Sequence, residues 1–262
     1  MTLPAPYYRD DDNGIVLYCG DCLTILPELE PGSVDAVVTD PPYGIGYSTG
    51  RGSALWGDGS IAGDHSSECR DAALKHCNGL PSLVFGTWKV SKPEGTRMTL
   101  VWDTLGALGM GDLALPWKPS HQEIYVLGNR LGFSGERGSD VIRCPPVQSM
   151  AKNGRIHPFE KPVELIERLI GWIVAKTICD PFMGSGTTGV ACLRTGRRFI
   201  GIEISEEYCE IAANRLRKER DRTVLFGQAE RKLQREFLCL NCDRSTQNRR
   251  RAGPGRAVQP TA

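Results

Sequence analysis

No apolar run in this chain approaches the length of a membrane span, which takes about 20 consecutive apolar residues. The first residues, Met1-Thr2-Leu3-Pro4-Ala5-Pro6, lack the basic start and apolar stretch of a signal peptide. No sign of charge dominates either: 32 Lys and Arg against 31 Asp and Glu leave a net +1. A nucleic-acid partner would therefore need the cations gathered on one face and balanced elsewhere. Ten cysteines are scattered through 262 residues without an export signal. They read as reduced thiols of a cytoplasmic protein rather than as a disulfide scaffold. Cys239-Leu240-Asn241-Cys242 is a lone Cys-x-x-Cys. His65, Cys69, His76 and Cys77 follow no common zinc-finger spacing, so no metal is expected. The length permits one large α/β domain or two small ones.

What is present centres on Thr39-Asp40-Pro41-Pro42-Tyr43-Gly44, which closes the apolar run Val34-Asp35-Ala36-Val37-Val38. The run reads as a buried strand, and the two prolines turn the chain out of the sheet at its carboxyl edge. Proline has no N–H but keeps its C=O, so the Pro41 carbonyl and the Asp40 carboxylate form two acceptors beside the Tyr43 ring. Such a corner suits a flat group bearing an NH2, and the exocyclic amine of a nucleobase is one. The plain alternative is a Pro-rich turn with a routine Asp and Tyr.

Before this corner, Ile15-Val16-Leu17-Tyr18 reads as a strand, with Asp21 in the turn after it and a short helix limited by Pro27. Asp21 is either a turn residue or a partner for a ligand's amine. Residues 44–79 are rich in Gly and Ser and read as a mobile insertion beside the site, with a helical piece from Glu68 to Cys77. Strands are expected at Leu83-Val84-Phe85, Met98 to Trp102 and Glu123 to Leu127. Residues 128–156 read as loop and carry Arg137, Arg143, Lys152 and Arg155 with few acids between them. A basic irregular surface is what phosphate contacts need; a solvated loop is the alternative.

Pro162 fits the first turn of a helix whose apolar face is Ile166, Leu169, Ile170 and Ile173. The strand Thr177-Ile178-Cys179-Asp180 then runs into Pro181-Phe182-Met183-Gly184-Ser185-Gly186-Thr187-Thr188-Gly189 and a helix from Val190 to Arg194. Glycines let the backbone approach a ligand, and helix N–H groups favour a carboxylate or phosphate there. Glu203 ends the next strand, at the distance from the loop where a carboxylate binds a ribose diol. Gly184 to Gly189 also spells G-x-G-x-x-G, so a nicotinamide dehydrogenase competes. Against it, Asp180 sits where a dinucleotide would bring pyrophosphate charge. An amino-acid zwitterion joined to a nucleoside fits better, which describes S-adenosylmethionine. Ser205 caps the last helix, and residues 243–262 read as a disordered basic tail behind a 1–242 domain.

Taken together these motifs resemble the amino-methyltransferases of DNA, from about Ile15 to about Leu216. Asp40-Pro41-Pro42-Tyr43 is similar to the catalytic motif, Asp180 to Thr188 to the cofactor motif, and His157-Pro158-Phe159-Glu160-Lys161-Pro162 to the short motif before the cofactor strand and loop. Their order resembles the permuted β group. The resemblance implies a Rossmann-like S-adenosylmethionine-dependent methyltransferase domain, α/β, with a mostly parallel mixed sheet, helices on both faces and loop insertions for DNA. It implies catalysis by Asp40, Pro41, Pro42 and Tyr43 on a flipped base, and cofactor contacts from Asp21, Cys22, Lys161, Asp180, Phe182, Gly184, Gly186, Thr187 and Glu203. Asp in the first motif position implies adenine N6, with cytosine N4 as the alternative. Double-stranded DNA is the implied partner, with Arg137, Arg143, Lys152 and Arg155 on its backbone, and a paired restriction endonuclease is compatible. A catalytically silent DNA-binding regulator, and a methyltransferase acting on RNA or protein amides, fit the motifs less well. Monomer and homodimer stay open.

Overall fold

The computed structural model describes residues 2–43, 66–106, 113–147 and 160–223. Within it the short apolar runs became strands. β1 (Tyr8–Asp10) and β2 (Ile15–Cys19) form an antiparallel pair, followed by α1 (Cys22–Ile25) and a 3-10 turn, Leu26–Glu28, with Pro27 inside it. β3 (Ala36–Thr39) is buried along its whole length. α2 (Glu68–His76), β4 (Ser82–Gly86), β5 (Met98–Asp103), β6 (His121–Leu127) and β7 (Val141–Arg143) come next. The chain then forms α3 (Val163–Gly171), β8 (Thr177–Asp180), α4 (Thr187–Arg194), β9 (Arg198–Glu203) and a last helix, α5, over 206–219.

The sheet runs β1-β2-β9-β8-β3-β4-β6-β5-β7. All its strands point the same way except β1 and β6. β3, β4 and β8 are continuously buried, as expected of parallel strands covered on both faces. One face packs Leu17, Val38, Phe85 and Ile178 against α3, α4 and α5 through Leu165, Leu169, Ala191 and Ala212. The other packs Val37, Cys179 and Ile202 against α1 and α2 through Ile25 and Ala73. This is an open, Rossmann-like α/β arrangement, with helices on both faces.

At the middle of the sheet the chain leaves β3 toward β4 on one side and leaves β8 toward β9 on the other. Adjacent parallel strands whose connections diverge open a crevice at their carboxyl ends, the usual ligand position in open α/β sheets. Both glycine- and proline-rich motifs empty into that crevice.

Several details differ from expectation. β1 and β7 have three residues each, too few to show alternation, and β7 with a 3-10 turn at Arg130–Gly132 gives regular structure to a stretch read as loop. Pro162 is the N-cap of α3 rather than a residue of its first turn, and α4 starts at Thr187 rather than Val190. By packing, the chain forms two units, Met1–Glu219 and Arg220–Ala262; of the second only 220–223 are described, as helix. The expected insertion is described from residue 66 on, and the expected tail at 243–262 lies outside the described residues. No helix among the described residues is long and apolar enough to cross a membrane.

Candidate active site

Asp40 stands one residue beyond β3, so its carboxylate is delivered to the crevice by a strand buried along its whole length. Both of its oxygens are engaged. The Tyr43 hydroxyl donates to Asp40 Oδ1 at 2.6 Å, and the Lys161 ammonium donates to Asp40 Oδ2. Lys161 is 6 % exposed and lies 5.0 Å from the centroid of the buried Phe85 ring. The cation is thus held between a carboxylate and an aromatic face, a setting that favours it once it is desolvated. Pro41 is buried and Pro42 half-buried, so the corner is fixed from below.

Asp180 ends β8, the neighbouring strand, and is 3 % exposed. Its Oδ1 accepts the Thr39 hydroxyl at 2.7 Å and the Phe182 N–H at 3.1 Å, and its Oδ2 accepts the Thr188 hydroxyl at 2.7 Å. Burial pushes its carboxyl up to about 6; these three donors oppose the rise, and the nearby Asp40 charge adds to it. The side chain faces β3 and α4, so it braces the two motifs from behind. Phe182 is half-buried against the α1–α2 side of the core.

The loop after Asp180 needs its glycines. Gly186 is the N-cap of α4 with φ +80°, and a Cβ there would come within 2.8 Å of Ala212 Cβ. Gly184, at φ +50°, has open space where a Cβ would stand, so nothing covers the backbone on that side. Thr187 begins α4 and is buried. Glu203, at the end of β9, accepts the Gly184 N–H at 3.0 Å through Oε2 and the Ser205 N–H at 2.9 Å through Oε1. Burial raises its carboxyl, while the N–H groups of Ser205, Gly184 and Ile204 hold it down. A carboxylate has about four acceptor positions, so Glu203 can fix the loop and still receive a diol.

Asp21 caps α1, accepting the Leu23 N–H at 2.9 Å, and its side chain is exposed at the same sheet edge. Cys22 begins α1 but is buried in the core, where burial drives its thiol upward. Among the described residues no three His, Cys, Asp or Glu side chains gather as a metal would need.

One feature was absent from the sequence reading. Arg215 of α5 donates through Nη1 to the Ser185 carbonyl and the Ser185 hydroxyl, both at 2.8 Å, and to Thr187 Oγ1 at 3.3 Å. Its Nη2 lies 2.7 Å from Glu160 Oε1. Burial lowers the Arg215 guanidinium and Glu160 opposes that shift. The available signal was a charge set on the buried stripe of α5, between Ala212 and Leu216.

Of the expected backbone-binding cations, Arg137 and Arg143 are exposed, and Lys152 and Arg155 lie outside the described residues. Arg143 ends β7 at the same sheet edge as Asp40 and pairs with Asp103 at 3.4 Å.

This geometry has relatives. The family described as DNA methylase, of the N6/N4 type, matches residues 70–214. The Type II methyltransferase M2.DpnII of Streptococcus pneumoniae is 28% identical over 266 residues, spanning 84% of this chain and 96% of the relative. Among solved structures, the M1.HpyAVI–SAM complex superposes with a TM-score of 0.52 at 22% identity, covering 77% of this chain and 100% of the other. The PvuII DNA methyltransferase, cytosine-N4-specific, gives a TM-score of 0.57 at 15% identity over 80% of this chain and 92% of the other. These two structures share the fold.

Proposed function

The chain belongs to the N6/N4 DNA methylase family and takes S-adenosylmethionine as cofactor, and from that premise we propose that it methylates the N6 amine of an adenine flipped out of double-stranded DNA. The observation that carries the choice is the Asp40 carboxylate, fixed by β3 at the crevice that the glycine loop also enters.

The residues fit the cofactor. The open face at Gly184 admits a ligand against the backbone, the start of α4 at Thr187 offers N–H groups to a carboxylate, and Glu203 and Asp21 end neighbouring strands where a ribose and an adenine amine would lie. Asp180, Cys22 and Phe182, buried or half-buried beside this cradle, complete the proposed cofactor set, with Asp180 also bracing it through Thr39 and Thr188. When bound, the cofactor supplies a sulfonium methyl as the electrophile.

The protein's part is to make an aromatic amine nucleophilic. Asp40 and the Pro41 carbonyl accept its two hydrogens, which opposes delocalisation of the nitrogen lone pair and returns density to nitrogen. The same contacts aim that lone pair, and orientation supplies much of the acceleration of such transfers. As the N–C bond formed, the sulfonium S–CH3 bond would break with its electron pair returning to sulfur, S-adenosylhomocysteine leaving as the neutral thioether. The positive charge passing to nitrogen would meet the Asp40 carboxylate, and the excess proton would go to water. Flipping the base costs a few kcal/mol. Stacking on Tyr43, worth about 1–3 kcal/mol, offsets part of it. Arg137 and Arg143, both exposed, are the proposed phosphate contacts, together with Lys152 and Arg155 of the same basic stretch of sequence. The relatives include Type II methyltransferases, which makes a paired endonuclease a reasonable partner.

Cytosine N4 is the second reading, because the PvuII enzyme of the same fold is described as cytosine-N4-specific. Single-molecule sequencing of DNA from a methylation-free host expressing the protein separates the two. N6-methyladenine in one short motif, absent with Asp40→Ala, is the expected result. N4-methylcytosine would retain the mechanism and reverse the base, whereas no modified base from folded, cofactor-binding protein would remove the DNA reading.

A further inference from the structure

Glu160 and Lys161 are consecutive, yet their side chains serve different motifs. Lys161 reaches Asp40 Oδ2, in the catalytic corner. Glu160 reaches Arg215, which holds the Ser185 carbonyl and hydroxyl and the Thr187 hydroxyl of the cofactor loop. The two Asp40 oxygens also differ. Oδ2 is held by a cation 6 % exposed and packed on Phe85, whereas Oδ1 is held by the hydroxyl of half-buried Tyr43.

We infer that Lys161 is a positioning residue that keeps Asp40 Oδ2, so that Oδ1, released when Tyr43 turns to the base, is the oxygen that meets the substrate amine. This rests on the proposed transfer to an exocyclic amine. It gives Lys161 a role distinct from direct cofactor contact. Orientation of the carboxylate follows: with Oδ2 anchored, the plane of Asp40 is set before substrate arrives, and only the weaker-held oxygen has to exchange its donor. Glu160 extends the device. A ligand carboxylate settling on the loop competes for Arg215, and the resulting change at Glu160 is passed by one peptide unit to Lys161. Occupancy of the loop and the setting of Asp40 are thereby linked.

The test compares Lys161→Met, Lys161→Arg and Glu160→Gln with the wild type, using unmethylated bacterial genomic DNA and S-adenosylmethionine. Lys161→Met is expected to lower kcat roughly 10- to 100-fold, the scale of a misplaced reacting group, while leaving the KM for S-adenosylmethionine and the calorimetric affinity for S-adenosylhomocysteine nearly unchanged. Lys161→Arg should recover part of kcat. A lost affinity with kcat intact would make Lys161 a cofactor ligand and overturn the inference, as would an unchanged kcat. Intact homocysteine-product binding by the variants also certifies that they fold.

A second readout does not depend on DNA methylation. The side-chain carboxyl carbon-13 resonance of Asp40, assigned through Asp40→Asn, should move in Lys161→Met. Adding S-adenosylhomocysteine should move it in the wild type and less in Glu160→Gln. An Asp40 resonance indifferent to Lys161 would sink the inference even if DNA is methylated. A resonance that responds while no DNA is modified would retain the inference and remove the proposed reaction.

Discussion

Thr39 donates its hydroxyl to Asp180 Oδ1 at 2.7 Å, joining the ends of β3 and β8, the two strands that flank the crevice. The bond lies next to Asp40, so the Asp-Pro-Pro-Tyr corner and the glycine loop share one buried anchor.

Removing that donor while keeping the side-chain shape should cost stability first. Thr39→Val leaves Asp180 Oδ1 with the Phe182 N–H alone, the loss of one hydrogen bond to a charged group, which costs about 1.5–3 kcal/mol. Urea unfolding should show a lower midpoint with unchanged slope. An unaltered midpoint would mean that the anchor is not mechanical.

The pH dependence of stability should carry the signature of Asp180. Its carboxyl stands at about 6 in the fold against an ordinary 3.8. A raised acid binds its proton in the folded state first, so its unfavourable contribution is absent below about 3.8 and develops as pH rises through about 6. Asp180→Asn removes this dependence, so the variant should gain on the wild type between pH 4 and 7 by up to about 3 kcal/mol. Parallel stability curves for the two proteins would contradict it.

Glu203→Gln should weaken S-adenosylhomocysteine binding by roughly 10- to 100-fold, the range for a lost hydrogen bond to a charged group. Asp21→Asn should leave the melting temperature alone, since Asn caps a helix as well as Asp, and weaken the ligand less. Calorimetry of both variants ranks the two strand ends.

Gly186→Ala forces a left-handed residue to carry a Cβ, at about 1–2 kcal/mol, and drives that Cβ into Ala212. Destabilisation with reduced cofactor affinity is expected in thermal melts and calorimetry. A variant as tight as the wild type would show that the loop is not pre-formed.

Tyr43→Phe keeps the ring and removes the hydroxyl from Asp40 Oδ1, so kcat should be largely preserved; Tyr43→Ala removes the stacking surface and should lose most activity. Steady-state kinetics on unmethylated genomic DNA distinguishes ring from hydroxyl.

The sequence made some of this readable and hid the rest for physical reasons. The run before Asp40 and the glycine loop after Asp180 place chemistry beside a strand end within a few residues, so pattern alone located the crevice. The acids at the ends of β2, β3, β8 and β9 were legible for the same reason. What escaped depends on side chains meeting across the fold. Lys161 and Asp40 are separated by 121 positions, and Asp180 turns inward to Thr39 although its motif resembles a cofactor-binding one. Arg215 was hidden because a helix stripe with one cation looks like an ordinary amphipathic face. β7 was missed because three residues carry no period.

The strand order also bears on how the chain is made. β3 pairs with β8, and the bond that ties their ends spans 141 positions. A growing polypeptide therefore exposes Asp40 and one flank of β3 long before the segment that covers them leaves the ribosome. Pairings this distant slow folding, because a large loop must close before any contact is gained. No amino-terminal fragment ending before β8 contains both halves of the crevice, so interrupted synthesis yields chains without a partial version of the activity. Transfer capacity is acquired in one step, late, when the centre of the sheet closes.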